Sequence, residues 1–207
     1  MARYGMAINL KRCIGCHYCS VACKMENGVT KGSWSSVKTI SEGQLDTAAG
    51  EYPNLKMTYL PALCMHCKDA PCVEVCPTGA CYQREDGIVM INYDDCIGCK
   101  YCIVACPYQA RYYNEEKGDY FARESEGGEQ TEYQPHRRHV TEKCTLCEHR
   151  VSKGLRPACV EACPMAARVF GDLDDPDSEI SQLVTYKRGY PLLEELGTEP
   201  SVYYIQP

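Results

Sequence analysis

Phe and Trp are scarce in this chain of 207 residues, which has two Phe and one Trp. A core built mainly on these two residues is therefore excluded. Long apolar runs are also missing. No stretch reaches the roughly 18 or more consecutive apolar residues that a membrane-crossing helix needs, so no direct membrane span is expected. The opening residues MARYGMAINLKRC have no apolar secretory core, and no signal peptide is expected. Positive charge is not in excess. The formal net charge of −6 gives no support to nucleic-acid binding, and the basic run HRRHVTEK (136–143) reads as a solvated loop. Nucleophile–base constellations, phosphate-binding glycine loops and the H-E-x-x-H pattern are absent, which argues against catalysis by this chain alone.

What the chain does have is cysteine, 17 in all. That density belongs to small disulfide scaffolds or to metalloproteins. Disulfides fit badly, because the count is odd and the cysteines are clustered rather than spread as staples. A pair such as Cys13 and Cys16 would close a loop too short to stabilise much. Sixteen fall into four groups of four: Cys13, Cys16, Cys19, Cys23; Cys64, Cys67, Cys72, Cys76; Cys96, Cys99, Cys102, Cys106; and Cys144, Cys147, Cys159, Cys163. The stretch CIGCHYCSVAC of group one matches CIGCKYCIVAC of group three at nine of eleven positions. Metal bound by such groups supplies folding energy, because the ligands assemble only in the native state.

Each group ends in a C-x3-C step within a helix-compatible stretch: CSVACKMEN, CVEVCPTGA, CIVACPYQA and CVEACPMAA. In three of them Pro77, Pro107 or Pro164 follows the last cysteine, and proline turns the preceding residue out of the helical region. Strand-like runs (YGMAI, GIVMINY, ARYYN, ARVFGD) lie between the groups, so cysteine group, strand, turn and strand form an internal repeat. Two insertions, 24–63 and 111–143, read as surface loops with little secondary structure. The polar tail from residue 171 reads as extended, wrapping the domain or a neighbour.

The spacing C-x2-C-x2-C-x3-C-P is that of bacterial ferredoxins with [4Fe–4S] clusters, in which three thiolates of one loop hold one cluster and the fourth ligates its neighbour. Zinc, which favours paired C-x2-C knuckles, would suit Cys144, Cys147, Cys159 and Cys163 alone but not the triple x2 spacing seen twice. Groups two and three are adjacent and resemble a two-cluster ferredoxin. Pairing them gives one cluster on Cys64, Cys67, Cys72 and Cys106 and another on Cys96, Cys99, Cys102 and Cys76. Groups one and four then supply Cys13, Cys16, Cys19 and Cys163, and Cys144, Cys147, Cys159 and Cys23.

The order of the groups, the widened CTLCEHRVSKGLRPACVEACP, and the phrases LCMHCKDAPCVEVCPTGA, CIGCKYCIVACPY and ELGTEPSVYY resemble one family. It is the four-cluster iron–sulfur subunit of respiratory molybdopterin oxidoreductases, such as the dimethyl sulfoxide, polysulfide, thiosulfate, tetrathionate and arsenate reductases. The resemblance implies an α+β fold: a tandem ferredoxin-like double domain with pseudo-twofold symmetry, long loop insertions and an extended C-terminal tail. Its halves are expected to be 1–63 with 140–207, built from groups one and four, and an inserted 64–114, built from groups two and three. The resemblance further implies four [4Fe–4S] clusters, no catalytic residue, and conduction of electrons between a molybdopterin catalytic subunit and a membrane quinol-interacting subunit or soluble carrier. A free polyferredoxin is the alternative, or the equivalent subunit of a formate dehydrogenase, hydrogenase or catechol dehydroxylase. Either the periplasmic face, reached on a partner's twin-arginine signal, or the cytoplasm fits the resemblance.

Outside the sixteen, Cys81 is expected to be a small buried apolar residue. His17, His66 and His149 adjoin ligands and read as surface or supporting groups. Lys100, Arg111, Lys143 and Arg150 are expected to offset cluster charge, and Trp34 to lie in the core or an interface.

Overall fold

The computed structural model describes residues 2–30, 32–40, 47–115 and 136–206. A continuous apolar run, buried on both faces, places β1 (Tyr4–Asn9) at the centre of the fold, where Met6 and Ile8 are fully buried. It leads into the first cysteine group and α1 (Tyr18–Asn27), which ends on Gly28 in the left-handed conformation. Then come β2 (Ser35–Ile40) and β3 (Thr58–Leu63), an antiparallel pair in register from Ser35 opposite Leu63 to Ile40 opposite Thr58. The segment 24–63 is thus a correction to the loop expected there: SSVKTI and TYLPAL carry enough β-branched and aromatic residues to pair.

Group two carries the one-turn helix α2 (Pro71–Glu74) and leads to β4 (Cys81–Gln83), paired with β5 (Val89–Ile91). Group three carries α3 (Tyr101–Val104) and leads to β6 (Tyr112–Asn114), which pairs with β7 (Val140–Glu142). The acidic stretch of the 111–143 insertion, at 116–135, lies outside the described residues. Group four contains α4 (Glu148–Val151) and α5 (Ala158–Glu161) and leads to β8 (Arg168–Asp172), antiparallel to β1. The strand leaving each cysteine group therefore pairs with the strand that leads into the next, and the last pairs with the first. This closed cycle brings the four groups around one core. Within it α1 packs on α5, and α2 on α3.

The tail is less extended than its polarity suggests. It forms α6 (Glu179–Tyr186), which buries Ile180 against Ala7 and Ile205, then a 3-10 turn (Glu194–Leu196) and β9 (Val202–Ile205). β9 runs parallel to β1 and completes the three-stranded sheet β8-β1-β9. On the way, the carbonyls of Thr198 and Glu199 accept the N–H groups of Asp69 and Lys68, and the Ser201 N–H donates to Met65. The tail does wrap the domain, fastening the group-two loop to the central sheet. Among the described residues, no helix is long and apolar enough to cross a membrane.

Candidate metal centres

The four cysteine loops share one backbone device. The second residue after the first cysteine has positive φ in each: Gly15 (69°), His66 (45°), Gly98 (67°) and Leu146 (52°). Left-handed residues cost most side chains free energy, so the same departure four times marks a loop that must curl around something. In groups one and three His17 and Lys100 repeat the departure at the helix N-terminus. Curled loops of this kind aim N–H groups inward and suit anionic sulfur.

The sulfurs converge as sets. Cys13, Cys16, Cys19 and Cys163 line one cavity, walled by Ile14, Val37, Pro61 and Met165 with Arg168. Cys23 faces Cys144, Cys159 and Cys147. Cys67 has Cys64, Cys72 and Cys106 as neighbours. Cys81 lies between Cys76 and group three: its N–H donates to Cys76 Sγ at 3.4 Å and Cys102 is its neighbour. Cys96 and Cys99 lie on the loop before Cys102, and the first three sets each combine sulfurs of two groups. The sets also touch in sequence: Cys159 neighbours Cys19, and Cys144 neighbours Cys64. Cys16 and Cys99 are exposed, while Cys23, Cys144, Cys147, Cys159, Cys64, Cys67 and Cys72 are buried.

Burial governs the chemistry of these thiols. It pushes Cys67 up to about 12 and Cys147 up to about 11, and nearby sulfurs add to the effect. Cys23 rises well above its ordinary value, first from burial and then from Cys144 and its neighbours. A thiol in this position holds its proton until a metal replaces it. Among the described residues no three Cys, His, Asp or Glu side chains converge closely enough to hold a single metal ion. The wider sets fit a cluster, whose iron atoms each take one thiolate. Backbone donors complete the fit: Leu146 N–H reaches Cys144 Sγ at 3.4 Å and Ala167 N–H reaches Cys163 Sγ at 3.3 Å.

Two guanidinium groups are sunk among the sulfurs. Arg111 donates from Nη2 to Cys72 Sγ at 2.8 Å and from Nη1 to Cys81 Sγ at 3.2 Å. Arg168 donates from Nη2 to Cys19 Sγ at 3.3 Å and to Ser35 Oγ at 3.1 Å. Burial opposes the charge of each, yet the surrounding sulfurs hold both above the ordinary arginine value. Arg111 was legible as a charge-offsetting residue. Arg168 was not, although the matching phrases CPYQAR and CPMAAR put both five places after the last cysteine. Asn27 escaped notice as well; its amide lies 3.8 Å from both Cys23 Sγ and Cys147 Sγ.

The remaining candidates divide. Lys143 is buried, with its ammonium donating to the Cys144 carbonyl at 2.8 Å and to that of Val89. His66 is fully buried and accepts the Val89 N–H at Nδ1, so it belongs to the interior. Lys100 instead lies over the Tyr113 ring at 3.8 Å. Arg150 and His149 both engage Glu26, whose carboxylate in turn faces Cys147. Trp34 is core and His17 is exposed. Cys81 is buried in the apolar core as expected, and it also accepts from Arg111 and donates its N–H to Cys76 Sγ.

Families described as 4Fe-4S dicluster domains match residues 55–124 with 129–173, and residues 12–80. A protein of Halobacterium salinarum, named as the iron-sulfur subunit of a dimethyl sulfoxide reductase, is 49% identical, over 99% of this chain and 79% of its own length. The arsenate respiratory reductase iron-sulfur subunit of a Shewanella species is 42% identical, over 99% and 96%. A tetrathionate reductase subunit of Salmonella typhimurium is 40% identical, over 98% and 72%. Sulfurs gathered from paired groups, loops that curl beside them and likeness along almost the whole chain agree: this protein belongs to the 4Fe-4S dicluster family, among the electron-transferring iron–sulfur subunits of respiratory reductases.

Proposed function

We propose that the chain is a linear four-cluster wire serving a molybdopterin catalytic subunit. Its ligand sets would be Cys13/Cys16/Cys19/Cys163, Cys144/Cys147/Cys159/Cys23, Cys64/Cys67/Cys72/Cys106 and Cys96/Cys99/Cys102/Cys76, in that spatial order. The observation that carries the reading is the graded exposure. The two middle sets lie almost wholly inside, whereas the outer two present Cys16 and Cys99 to solvent. A wire needs both its ends within reach of partners and its middle shielded.

Each exposed end carries apolar side chains of the kind that partners cover. Ile14, Tyr18, Val21 and Met25 stand out beside Cys16; Ile97, Tyr101 and Val104 stand out beside Cys99. Two such ends favour a subunit held between two partners over a diffusible carrier. One partner is the catalytic subunit; the other is a membrane quinol-interacting subunit or a soluble carrier. Groups one with four and two with three form two ferredoxin-like halves related by a pseudo-twofold axis, 1–63 with 140–207 and 64–114. The packing of α1 on α5 and of α2 on α3 supports that division.

The test is Cys99→Ser in the assembled complex. Serine oxygen is a poorer ligand for iron–sulfur chemistry, so the end cluster is expected to be lost or reduced to a three-iron form. Turnover with the physiological electron partner should collapse, while turnover with a dye that reaches the catalytic subunit directly should persist. Unchanged physiological turnover would place this cluster off the path. Loss of both activities in an intact complex would reveal a catalytic role.

A further inference from the structure

At one place in the repeat the groups carry different side chains. The turn after the last cysteine is the same in groups two, three and four. Gly79, Gln109 and Ala166 have φ of 67°, 52° and 46°, and their N–H groups donate to the carbonyls of Cys76, Cys106 and Cys163. Two residues on, the chain points back inward at Cys81, Arg111 and Arg168, all three buried. Each of these meets the third cysteine of the partner group. Arg168 donates to Cys19 Sγ and Arg111 to Cys72 Sγ, while Cys81 faces Cys102; Arg168 also faces Cys159, and Arg111 also faces Cys102. Group one lacks the proline and this turn; there the buried Asn27 offers its amide to Cys23 and Cys147. One structural position thus holds two permanent cations and one thiol, with an amide standing in on the fourth set.

The charges that face the two guanidinium groups are mainly those of sulfurs, with the Tyr204 phenol also near Arg168 and the Tyr93 phenol and His66 also near Arg111. Neither arginine is paired with a carboxylate among the described residues. Lys143, the other buried cation nearby, is spent on main-chain carbonyls rather than on sulfur. Reduction of a [4Fe–4S] centre adds one electron, breaks no bond, and makes the centre more negative by one charge. A fixed cation hydrogen-bonded to a ligand sulfur, in an interior of low dielectric, favours that reduced state more than a neutral donor does.

We infer that Arg111 and Arg168 are potential-setting residues, each raising the reduction potential of the centre whose sulfur it touches above the value a neutral side chain there would give. The inference rests on the ligand sets proposed above. Along the proposed order the guanidinium groups hydrogen-bond sulfurs of the first and third centres, and each also faces the next set, Arg168 at Cys159 and Arg111 at Cys102. The directly bonded first and third centres should therefore be raised most.

The experiment is a potentiometric titration of the full-length, cluster-loaded protein, followed by electron paramagnetic resonance. Arg111→Gln is expected to lower most the potential of the centre altered in both Cys72→Ser and Cys106→Ser. Arg168→Gln is expected to lower most that of the centre altered in both Cys19→Ser and Cys163→Ser. Arg111→Lys and Arg168→Lys should recover most of the loss, and Asn27→Ala should move its centre less than either glutamine variant. Four unchanged potentials, or an equal shift of all four, would overturn the proposal. A lowered centre that Cys72→Ser alters but Cys106→Ser does not would support the tuning role and overturn the ligand set instead. If the glutamine variants fail to load iron, the wild-type protein decides. With guanidino-15N-arginine incorporated, pulsed resonance should show weak 15N coupling at two of the four reduced centres. Coupling at none would sink the inference.

Discussion

Gly98 shows how one residue serves a cluster loop. Its φ of 67° lies where L side chains are strained, and a Cβ there would meet the His139 carbonyl oxygen at 2.2 Å. Gly79 has the same φ with nothing within 4 Å of the added atom. Gly79→Ala should therefore cost only the left-handed penalty, about 1–2 kcal/mol. Gly98→Ala adds a collision with main chain that cannot rotate away, and its cost should be at least roughly double, with cluster loss. Thermal unfolding and iron retention of the two variants measure the difference; equal effects would mean that the His139 contact yields freely. The glycine was legible in the phrase CIGC, since a curling loop needs a residue free of Cβ strain. Its obstacle was not, because His139 stands far downstream in the chain. Arg168 was hidden for a related reason. Its partner Cys19 lies across the fold, and only alignment of the repeats on their last cysteines exposes it.

Among the elements, those adjoining the cysteine groups were readable, because spacing and β-branched runs are local signals. β1, β6, β8 and the helices of the C-x3-C steps lie where the sequence predicts them. The elements that went unread are held by distant partners. β9 pairs with β1 from the opposite end of the chain, and β2 with β3 across a long connection. The helix α6 did carry a signal, Ile180, Leu183 and Val184 at helical spacing behind Ser178, outweighed by the acidic stretch before it. The Ser178 hydroxyl accepts the Ser181 N–H at 3.2 Å and donates to the Asp172 carbonyl at 2.6 Å, capping α6 and tying it to β8. Ser178→Ala should cost about 1 kcal/mol. Hydrogen exchange should quicken first across 179–186 while the cysteine loops keep their protection. Uniform acceleration across the chain would mean that α6 and the cluster core unfold together.

At the scale of the whole molecule, the clusters and the fold should fail in two stages. Four cubanes bring about 16 iron and 16 acid-labile sulfide per chain. The outer sets are open at Cys16 and Cys99, while the inner sets are closed in by the core around β1 and β5. A chelator or oxidant should therefore strip the outer pair first, about half the iron, leaving the central sheet intact. The inner pair holds Cys23, Cys144 and Cys159, thiols whose burial makes them poor anions without metal. Losing that iron forces each buried sulfur either to take up a proton or to reach water, and the core around it opens. Iron release under a strong chelator should accordingly be biphasic, with circular dichroism falling mainly in the second phase. Zinc added afterwards should not restore the signal, because among the described residues no three of these side chains converge on one ion. Release of all the iron in a single phase, with unfolding from the start, would mean that the outer centres hold the fold as firmly as the inner ones.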